Sequence, residues 1–281
     1  GMELAGGRGD GARPCDDASL QAAGAAVGVL WFLEAAERDD VDELRRMLHE
    51  GTAQPGNADI SGRTALHAAA ATGAVSAMDL LLRQGAPLDA QTKKDGCTPL
   101  HLAAARGHTG CVGLLLARQA PVAATDRAGK TALHEASWAG QADCVRQLLA
   151  AAAALQVGDR WGRTPLHWAV CPPQWVDAAC SLATVATLLA SRAPLEAATL
   201  GRCTPLHWAA AHGSADAARQ LLDAAADVAA RDERMETPLH KAAANGRAPL
   251  VQLLLSRGAD PEAHDLDGWT PHERARQKGH A

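Results

Sequence analysis

The sequence predicts an all-α protein made of repeated helical units, and three observations support this prediction. The tetrapeptide Thr-x-Leu-His occurs six times in near-constant phase. A glycine follows most copies at a fixed distance, and a second apolar stretch with helical spacing follows the glycine. Because self-similarity with a period of about 20 to 50 residues is the signature of repeat architectures, the period indicates the fold class before any local detail.

The tetrapeptides are regularly spaced along the chain. Successive threonines are 34, 33, 33, 40 and 33 residues apart, and a degenerate copy follows after another 33. The complete copies begin at Thr64, Thr98, Thr131, Thr164, Thr204 and Thr237, and the degenerate copy begins at Thr270.

Each copy has the residues of a helix start. Threonine is a favoured N-cap because its hydroxyl accepts a hydrogen bond from a first-turn amide. Proline or alanine follows at the first helical position, where a missing N–H costs nothing. Gly107 is expected to end the helix that follows Thr98, since glycine readily adopts the left-handed conformation of a helix C-terminus. Val112 and Leu115 then recur at helical spacing, which predicts a second helix.

A period of 33 residues with this motif resembles the ankyrin-repeat family over about residues 30–281. The resemblance implies a β-hairpin-like loop followed by two antiparallel helices in each repeat. The repeats would stack into a curved all-α solenoid of helix-turn-helix units. Since one helix pair cannot bury its apolar face alone, stability is expected to come from neighbouring repeats.

The predicted organisation is a leader followed by a single solenoid. Residues 1–29 are a Gly/Ala-rich leader that we expect to be flexible, and residues 30–58 are an N-terminal capping repeat. Residues 265–281 keep only the hairpin and the first helix, as a partial C-terminal capping repeat. The fuller repeats between them are 59–91, 92–125, 126–158, 159–198, 199–231 and 232–264.

Repeat 159–198 contains about seven extra residues within positions 171–180. Pro172 and Pro173 cannot continue a helix, so the first helix of this repeat must end early. We expect the insertion to lengthen the turn between its two helices. Trp175 on this turn either extends a contact surface or packs against the solenoid, and the sequence leaves both open.

Composition and charge restrict the function. The formal net charge of −5 argues against general binding to polyanions. No apolar run reaches 18 residues, so we expect no membrane span, and the first residues lack a secretory signal. The seven cysteines form no C-x-x-C pair, which is typical of reduced thiols in a cytoplasmic or nuclear protein. We expect a monomer.

No pattern indicates an enzyme, a metal site or a cofactor. The chain has no H-E-x-x-H, no Gly-x-Ser-x-Gly and no Gly-rich strand-to-helix loop. The six repeated histidines would lie about 10 Å apart in stacked helices, too far to share one metal ion. The family resemblance instead gives them a structural role, hydrogen-bonding to threonine and to neighbouring backbone.

A partner-binding surface is predicted from tryptophan and from basic residues. By resemblance, Trp138 near the end of a first helix and Trp161 in a hairpin line a concave groove, and exposed tryptophan is a typical binding anchor. Trp168 and Trp208 are interpreted as packing residues. The predicted basic contacts are Arg63, Lys94, Arg106, Arg127, Lys130, Arg160 and Arg163, with Trp175 as a further candidate.

The later hairpins carry acidic residues instead, namely Glu233, Glu236 and Asp267. One interpretation is a partner with an acidic, partly apolar segment that lies across residues 59–198. The alternative is an ordinary solvated surface of mixed charge.

The leading functional prediction is a non-catalytic adaptor, scaffold or inhibitor that binds another protein. One alternative is the substrate-recognition adaptor of a ubiquitin ligase, which would need an appended recruiting motif that we do not expect here. A second is a nucleic-acid-associated regulator acting through the basic hairpins, against which the net charge and the acidic later hairpins weigh.

Overall fold

The computed structural model describes residues 17–174 and 176–280, with side chains described from residue 27 onward. Regular structure in this part of the chain consists of helices and two isolated β-bridges. The helices are α1 (Asp17–Glu37), α2 (Val41–His49), α3 (Ala65–Thr72), α4 (Val75–Arg83), α5 (Pro99–Arg106), α6 (Thr109–Ala117), α7 (Ala132–Trp138), α8 (Ala142–Ala150), α9 (Pro165–Ala169), α10 (Ala178–Ala190), α11 (Pro205–His212), α12 (Ala215–Asp223), α13 (Pro238–Ala244), α14 (Ala248–Ser256) and α15 (Pro271–Gln277).

The helices form two parallel rows. Each odd-numbered helix is the first of its repeat and packs on the next odd-numbered helix, from α1 to α15. The even-numbered second helices pack on one another in the same way, from α2 to α14. Leucines such as Leu100 and Leu115 are fully buried between the rows, and alanines allow the helices to approach closely. The predicted all-α solenoid is therefore confirmed.

The loops between repeats are joined to one another by backbone hydrogen bonds. The Arg127 amide donates to the Asp95 carbonyl at 2.9 Å, and the Arg160 amide donates to the Ala128 carbonyl at the same distance. In the next repeat the Leu200 amide likewise donates to the Trp161 carbonyl at 2.9 Å. The first helices and this row of loops together form what we call the hairpin face.

The six repeated histidines link each repeat to the next. Their imidazole Nδ1 accepts the N–H of the capping threonine at 3.0–3.2 Å. Their Nε2 lies 2.9–3.1 Å from a backbone carbonyl of the following hairpin. These carbonyls belong to Cys97, Lys130, Arg163, Cys203, Glu236 and Trp269. The predicted structural role of the histidines is confirmed.

The first helix differs from the sequence expectation. We expected a flexible leader up to residue 29, but α1 begins at Asp17 and continues across that boundary to Glu37. The stretch is rich in alanine and leucine, which have the highest helix propensities. The described part of the leader is thus an extension of the first helix.

The insertion affects both helices of its repeat. The first helix α9 has only 5 residues and ends at Ala169, ahead of the two prolines. The second helix α10 has 13 residues, compared with 9 in α8. We had expected the insertion to lengthen only the turn between the two helices. Some of the inserted residues instead extend α10. Trp175 lies outside the described residues.

Gly129 is expected to be the most sensitive glycine of the hairpin face. Its φ is +79°, and a Cβ at this position would lie 2.8 Å from the Arg160 amide nitrogen. We expect Gly129→Ala to lower the free energy of unfolding by about 2 kcal/mol or more, as measured by urea denaturation.

Gly85 provides the matched control, because its φ is +78° and nothing lies within 4 Å of an added Cβ. Gly85→Ala should lower the free energy of unfolding by only about 1 kcal/mol, which is the cost of placing alanine in the left-handed conformation. Equal costs for the two variants would show that contact between hairpins is unimportant.

Candidate functional site

Four tryptophans and one arginine form a connected group on the hairpin face. Trp138 ends α7, Trp168 lies in α9, Trp208 lies in α11, and Trp161 lies in the hairpin before α9. Arg163 follows Trp161 in the same hairpin. We call these five residues the tryptophan cluster. It spans three consecutive repeats because residues at equivalent positions of stacked repeats become neighbours.

The Arg163 guanidinium lies against three of the indoles. Its Cζ is 4.3 Å from the ring centre of Trp161, 4.1 Å from that of Trp168 and 5.6 Å from that of Trp208. A cation over an indole face is stabilised by about 0.5–2 kcal/mol. Trp138 meets Trp168 edge to face, with ring centres 6.0 Å apart. The cluster is therefore one connected aromatic surface.

The Asp159 carboxylate fixes Trp161, Arg163 and Trp168 in position by hydrogen bonds. Its side chain is fully buried, and one carboxylate oxygen accepts the amides of Trp161 at 2.9 Å and Arg163 at 3.0 Å. The other oxygen accepts the Arg163 Nε–H at 2.7 Å and the Trp168 Nε1–H at 3.1 Å. The charge of Arg163 is thus paired inside the protein, and its guanidinium packs against the indoles of Trp161, Trp168 and Trp208.

A second ion-pair group lies beside the cluster. Lys130 pairs with Glu135 and with Asp126, and its Nζ is 5.4 Å from the ring centre of Trp168. Burial alone would lower the pKa of Lys130, but its hydrogen bond to Glu135 raises that pKa above the ordinary value. Lys130 therefore remains charged and contributes a second cation to the aromatic surface.

The predicted basic contacts separate into two groups. Arg63, Lys130 and Arg163 are paired, with Glu37, with Asp126 and Glu135, and with Asp159 respectively. The others are exposed and have no ion-pair partner within the described part of the chain; they are Lys94, Arg106, Arg127 and Arg160. Only this second group is available to pair with carboxylates of another molecule.

Trp138 and Trp161 come together in the cluster, and Trp161 keeps 48% of its surface exposed. Trp168 and Trp208, which we interpreted as packing residues, are half-buried and belong to the same surface. Trp208 also stacks on His212, with ring centres 5.3 Å apart. The signal that could have identified them is their shared position directly after the histidine in consecutive repeats.

The described residues contain little that resembles catalytic chemistry. Burial raises the pKa of Cys97, Cys111, Cys144 and Cys203 to about 11, so these thiols are protonated near neutral pH. No group of three or more His, Cys, Asp or Glu side chains within 17–174 and 176–280 is arranged to hold a metal ion. No described helix has both the length and the apolar composition needed to cross a bilayer.

Known proteins share this architecture. The family model for ankyrin repeats (3 copies) matches residues 32–126, 119–177, 156–232 and 175–265. The structure is similar to the human ASB11 ankyrin repeat domain, with a TM-score of 0.67 and 29% identity over 76% of this chain and 92% of that one.

It is also similar to the ankyrin repeat domain of Bcl-3, described as a unique member of the IkappaB protein family. Here the TM-score is 0.64 and the identity 33%, over 77% of this chain and 95% of the other. No curated protein matches the chain. Ankyrin repeats are a protein-interaction fold that is generally non-enzymatic. The chain belongs to the ankyrin-repeat family and is a protein–protein interaction module.

Proposed function

We propose that the chain is a non-catalytic adaptor, scaffold or inhibitor that holds a partner protein on its hairpin face, with the tryptophan cluster as the anchor. The observation that supports this most strongly is the packing of three indoles against Arg163, with a fourth, Trp138, edge to face on Trp168. Trp161 is 48% exposed. Indoles offer a large contact area and lose little conformational freedom on binding, so they are frequent anchors of interfaces.

The charge around the cluster supports an acidic, partly apolar segment as the bound part of the partner. Lys94, Arg127 and Arg160 lie on three successive hairpins and line one open cleft of about 580 Å³. The exposed Asp95 also lines it, as do Asp126 and Glu135, which are paired with Lys130. Arg160 is held over this cleft by a hydrogen bond to the Arg127 carbonyl. Arginine forms paired hydrogen bonds with carboxylates, and such exposed charges contribute mainly to association rate and specificity.

The tryptophan cluster and the cleft lined by Lys94, Arg127 and Arg160 together suggest how the partner lies. An apolar side chain would contact Trp161 and Trp168, while neighbouring carboxylates would reach the unpaired cations of the preceding hairpins. The segment would then run along the hairpin row, from the cluster towards Lys94. Since Arg163 is already neutralised by Asp159, it would orient the indoles and would not attract the partner.

A quantitative affinity pull-down tests this proposal. The wild-type chain and a Trp161→Ala, Arg160→Glu variant would be used as baits in cell lysate, with captured proteins identified by mass spectrometry. Both substituted side chains are exposed, so the variant should fold normally. We expect at least one partner to bind the wild type and to decrease at least tenfold on the variant.

The matched control is Trp269→Ala, Arg231→Glu. Trp269 is a hairpin tryptophan with 40% exposure, and Arg231, like Arg160, donates to a backbone carbonyl of a neighbouring hairpin. This control should retain the partner. If both double variants capture the same proteins as the wild type, the cluster is not the binding site.

A further inference from the structure

The three hairpins that follow Trp161 each expose a large apolar side chain. Leu200 is 74% exposed, Met235 39% and Leu266 70%. Single exposed apolar residues are ordinary, but a group on successive loops is typical of an interaction surface. Leu200 lies inside the solenoid and is as exposed as Leu266, so this exposure does not depend on either end of the chain. We call these loops the apolar hairpins, and they are residues 199–203, 232–236 and 265–269.

The charges of the apolar hairpins are mostly paired within the chain. Glu236 is buried and pairs with Lys241, and the Asp267 carboxylate is paired with arginine side chains. Within the described part of the chain, the unpaired charges of these hairpins are one of each sign, Glu233 and Arg202. The surface is therefore apolar and nearly neutral, although its sequence contains several acidic residues.

Met235 occupies a backbone position that favours glycine. Its φ is +58°, in the left-handed region that is unfavourable for a residue with a Cβ. The exposed methionine therefore stands in its turn at a local cost, which is typical of residues at functional sites. Five other hairpins have a glycine at this position, with φ between +73° and +79°, namely Gly62, Gly96, Gly129, Gly162 and Gly268.

The backbone of these hairpins offers little to an extended partner. In hairpin 232–236 all five amides donate hydrogen bonds within the chain, and the same is true of hairpin 265–269. For example, the Leu266 amide donates to the Arg234 carbonyl at 2.8 Å. A partner strand needs a row of unpaired backbone groups, which these hairpins do not present. Recognition must therefore rely on side chains, and an α-helix suits this because it pairs its own backbone.

The spacing of the hairpins also favours a helix. Stacked repeats lie about 10 Å apart, which is the distance between packed helices. At about 1.5 Å per residue, a helix along the row passes one repeat in about seven residues, which lie on nearly the same face. A strand passes one repeat in about three residues, which point to opposite sides. A polyproline II helix has a similar period of about 9 Å, but it is typically bound by aromatic grooves, whereas these side chains are leucine and methionine.

We propose that the apolar hairpins bind an amphipathic α-helix of the partner protein, whose apolar side chains at i, i+7 and i+14 contact Leu200, Met235 and Leu266 in turn. The Leu200 amide donates to the Trp161 carbonyl at 2.9 Å, so the apolar hairpins continue directly from the tryptophan cluster. The helix therefore belongs to the partner that the cluster anchors, and in this respect the proposal rests on the proposed function.

A synthetic helix tests the proposal directly. The peptide has about three heptads, with leucine at one position of each heptad and Ala, Glu and Lys elsewhere, and each Glu is placed four residues before a Lys to stabilise the helix. One apolar residue per heptad is too few for a coiled coil, so the peptide stays monomeric. Fluorescence anisotropy of the labelled peptide, titrated with the full chain, should show saturable binding. A peptide of the same composition with leucines four residues apart should bind at least fivefold more weakly.

Two chain variants locate the contact. A Leu200→Asp, Leu266→Asp variant should weaken binding of the peptide at least tenfold. Ile60→Asp is the matched control, because Ile60 has the same place in its hairpin, is 94% exposed and is followed by basic hairpins. It should bind the peptide as the wild type does. The absence of saturable binding, equal binding by the double variant, or equal binding of the peptide with the other leucine spacing would each overturn the proposal.

Met235→Gly separates partner contact from folding. It should weaken peptide binding at least threefold without lowering the urea midpoint, because glycine fits the left-handed backbone. Arg202→Gly is its control, since Arg202 has a φ of +57° at the same position of the preceding hairpin but offers no apolar contact. This control should leave peptide binding unchanged. Equal binding by Met235→Gly and the wild type would show that the helix does not lie along this row.

Other occupants of the surface give different results. Tighter binding of a proline-rich peptide with leucine at every third position would indicate a polyproline II partner. In sedimentation of the chain alone, a concentration-dependent dimer that Leu200→Asp, Leu266→Asp abolishes would indicate a second copy. Either result would overturn the helix proposal.

Failure of the proposed function has its own signature. If the Trp161→Ala, Arg160→Glu bait captures the same proteins as the wild type, the tryptophan cluster is not the anchor. The peptide titrations need no cellular partner, so loss of binding in the Leu200→Asp, Leu266→Asp variant would still support the apolar hairpins as a helix-binding surface. The reverse pair of results would leave the cluster as the anchor and overturn the helix proposal alone.

Discussion

Acidification from about pH 7 to about pH 5 is expected to remove much of the stability of this solenoid, because six histidines are buried in their neutral form. Each imidazole accepts the threonine N–H at Nδ1 and faces a carbonyl with Nε2, so the single proton must be on Nε2. Protonation of Nδ1 would place two donors against each other in a dry site. All six contacts between repeats would be affected together.

The direction follows from the pKa values. Burial lowers the pKa of His134 and His167 from 6.5 to about 4, and it lowers the pKa of the other four in the same direction. At pH values between about 4 and 6.5, the unfolded chain binds more protons than the folded chain. The free energy of unfolding therefore falls as the pH falls. His134 and His167 alone contribute a loss of about 4 kcal/mol at pH 5, against a typical total of about 5–15 kcal/mol.

Urea denaturation at a series of pH values between 7.5 and 4.5 measures this effect, with histidine titration followed by NMR on the same samples. Burial opposes ionisation of Asp59, Asp232 and Asp265, but hydrogen bonds and nearby cations lower their pKa below 3.8, so their contribution is lost only at still lower pH. The histidine effect is therefore separated from acid unfolding through carboxylates. A urea midpoint that does not change between pH 7 and pH 5 would contradict this account.

The features that the sequence predicted are those set within one repeat. Thr98, Pro99 and His101 form a helix start by local hydrogen bonds, and Gly107 ends the same helix in the left-handed conformation. Repetition of these local signals then indicates stacking, because each unit leaves an apolar face uncovered. The period alone could not show that α1 begins at Asp17 or that the insertion extends α10, since both depend on helix propensity outside the repeated motif.

The candidate site was predicted only in part, because charge along the sequence does not reveal which side chains are paired. Arg163 and Lys130 were counted as free cations, but the hairpin brings each close to the aspartate four residues earlier. The orientation of Trp168 towards Asp159 depends on the same turn. We therefore expect Arg163 to contribute by orienting the indoles more than by its positive charge, because that charge is paired with Asp159.

Substitution of Asp159 is expected to be the most damaging single change within the site. Asp159→Ala removes the acceptor of four hydrogen bonds and leaves the Arg163 side chain, of which 17% is exposed, without its carboxylate partner. Removing one partner of a buried ion pair costs about 3–5 kcal/mol. We expect a loss of that size in urea denaturation, together with weaker capture of the partner of the hairpin face.

The chain itself suggests the control. Thr199 occupies the equivalent hairpin position in the next repeat, and its hydroxyl accepts the Cys203 amide at 3.1 Å. Asp159→Thr should therefore preserve a backbone hydrogen bond of the turn while removing the charge. We expect it to cost less than Asp159→Ala and to weaken partner capture to a similar degree, since both variants release Arg163 and Trp168.

A double-mutant cycle with Arg163→Met isolates the ion pair itself. If the carboxylate acts mainly on the guanidinium, Asp159→Ala should cost at least 1 kcal/mol less in the Arg163→Met background, because no buried cation is then left unpaired. The difference is the coupling energy between the two side chains. A value near zero would mean that indole packing and backbone hydrogen bonds hold the cluster, so that the charge of Arg163 is available to attract an acidic partner directly.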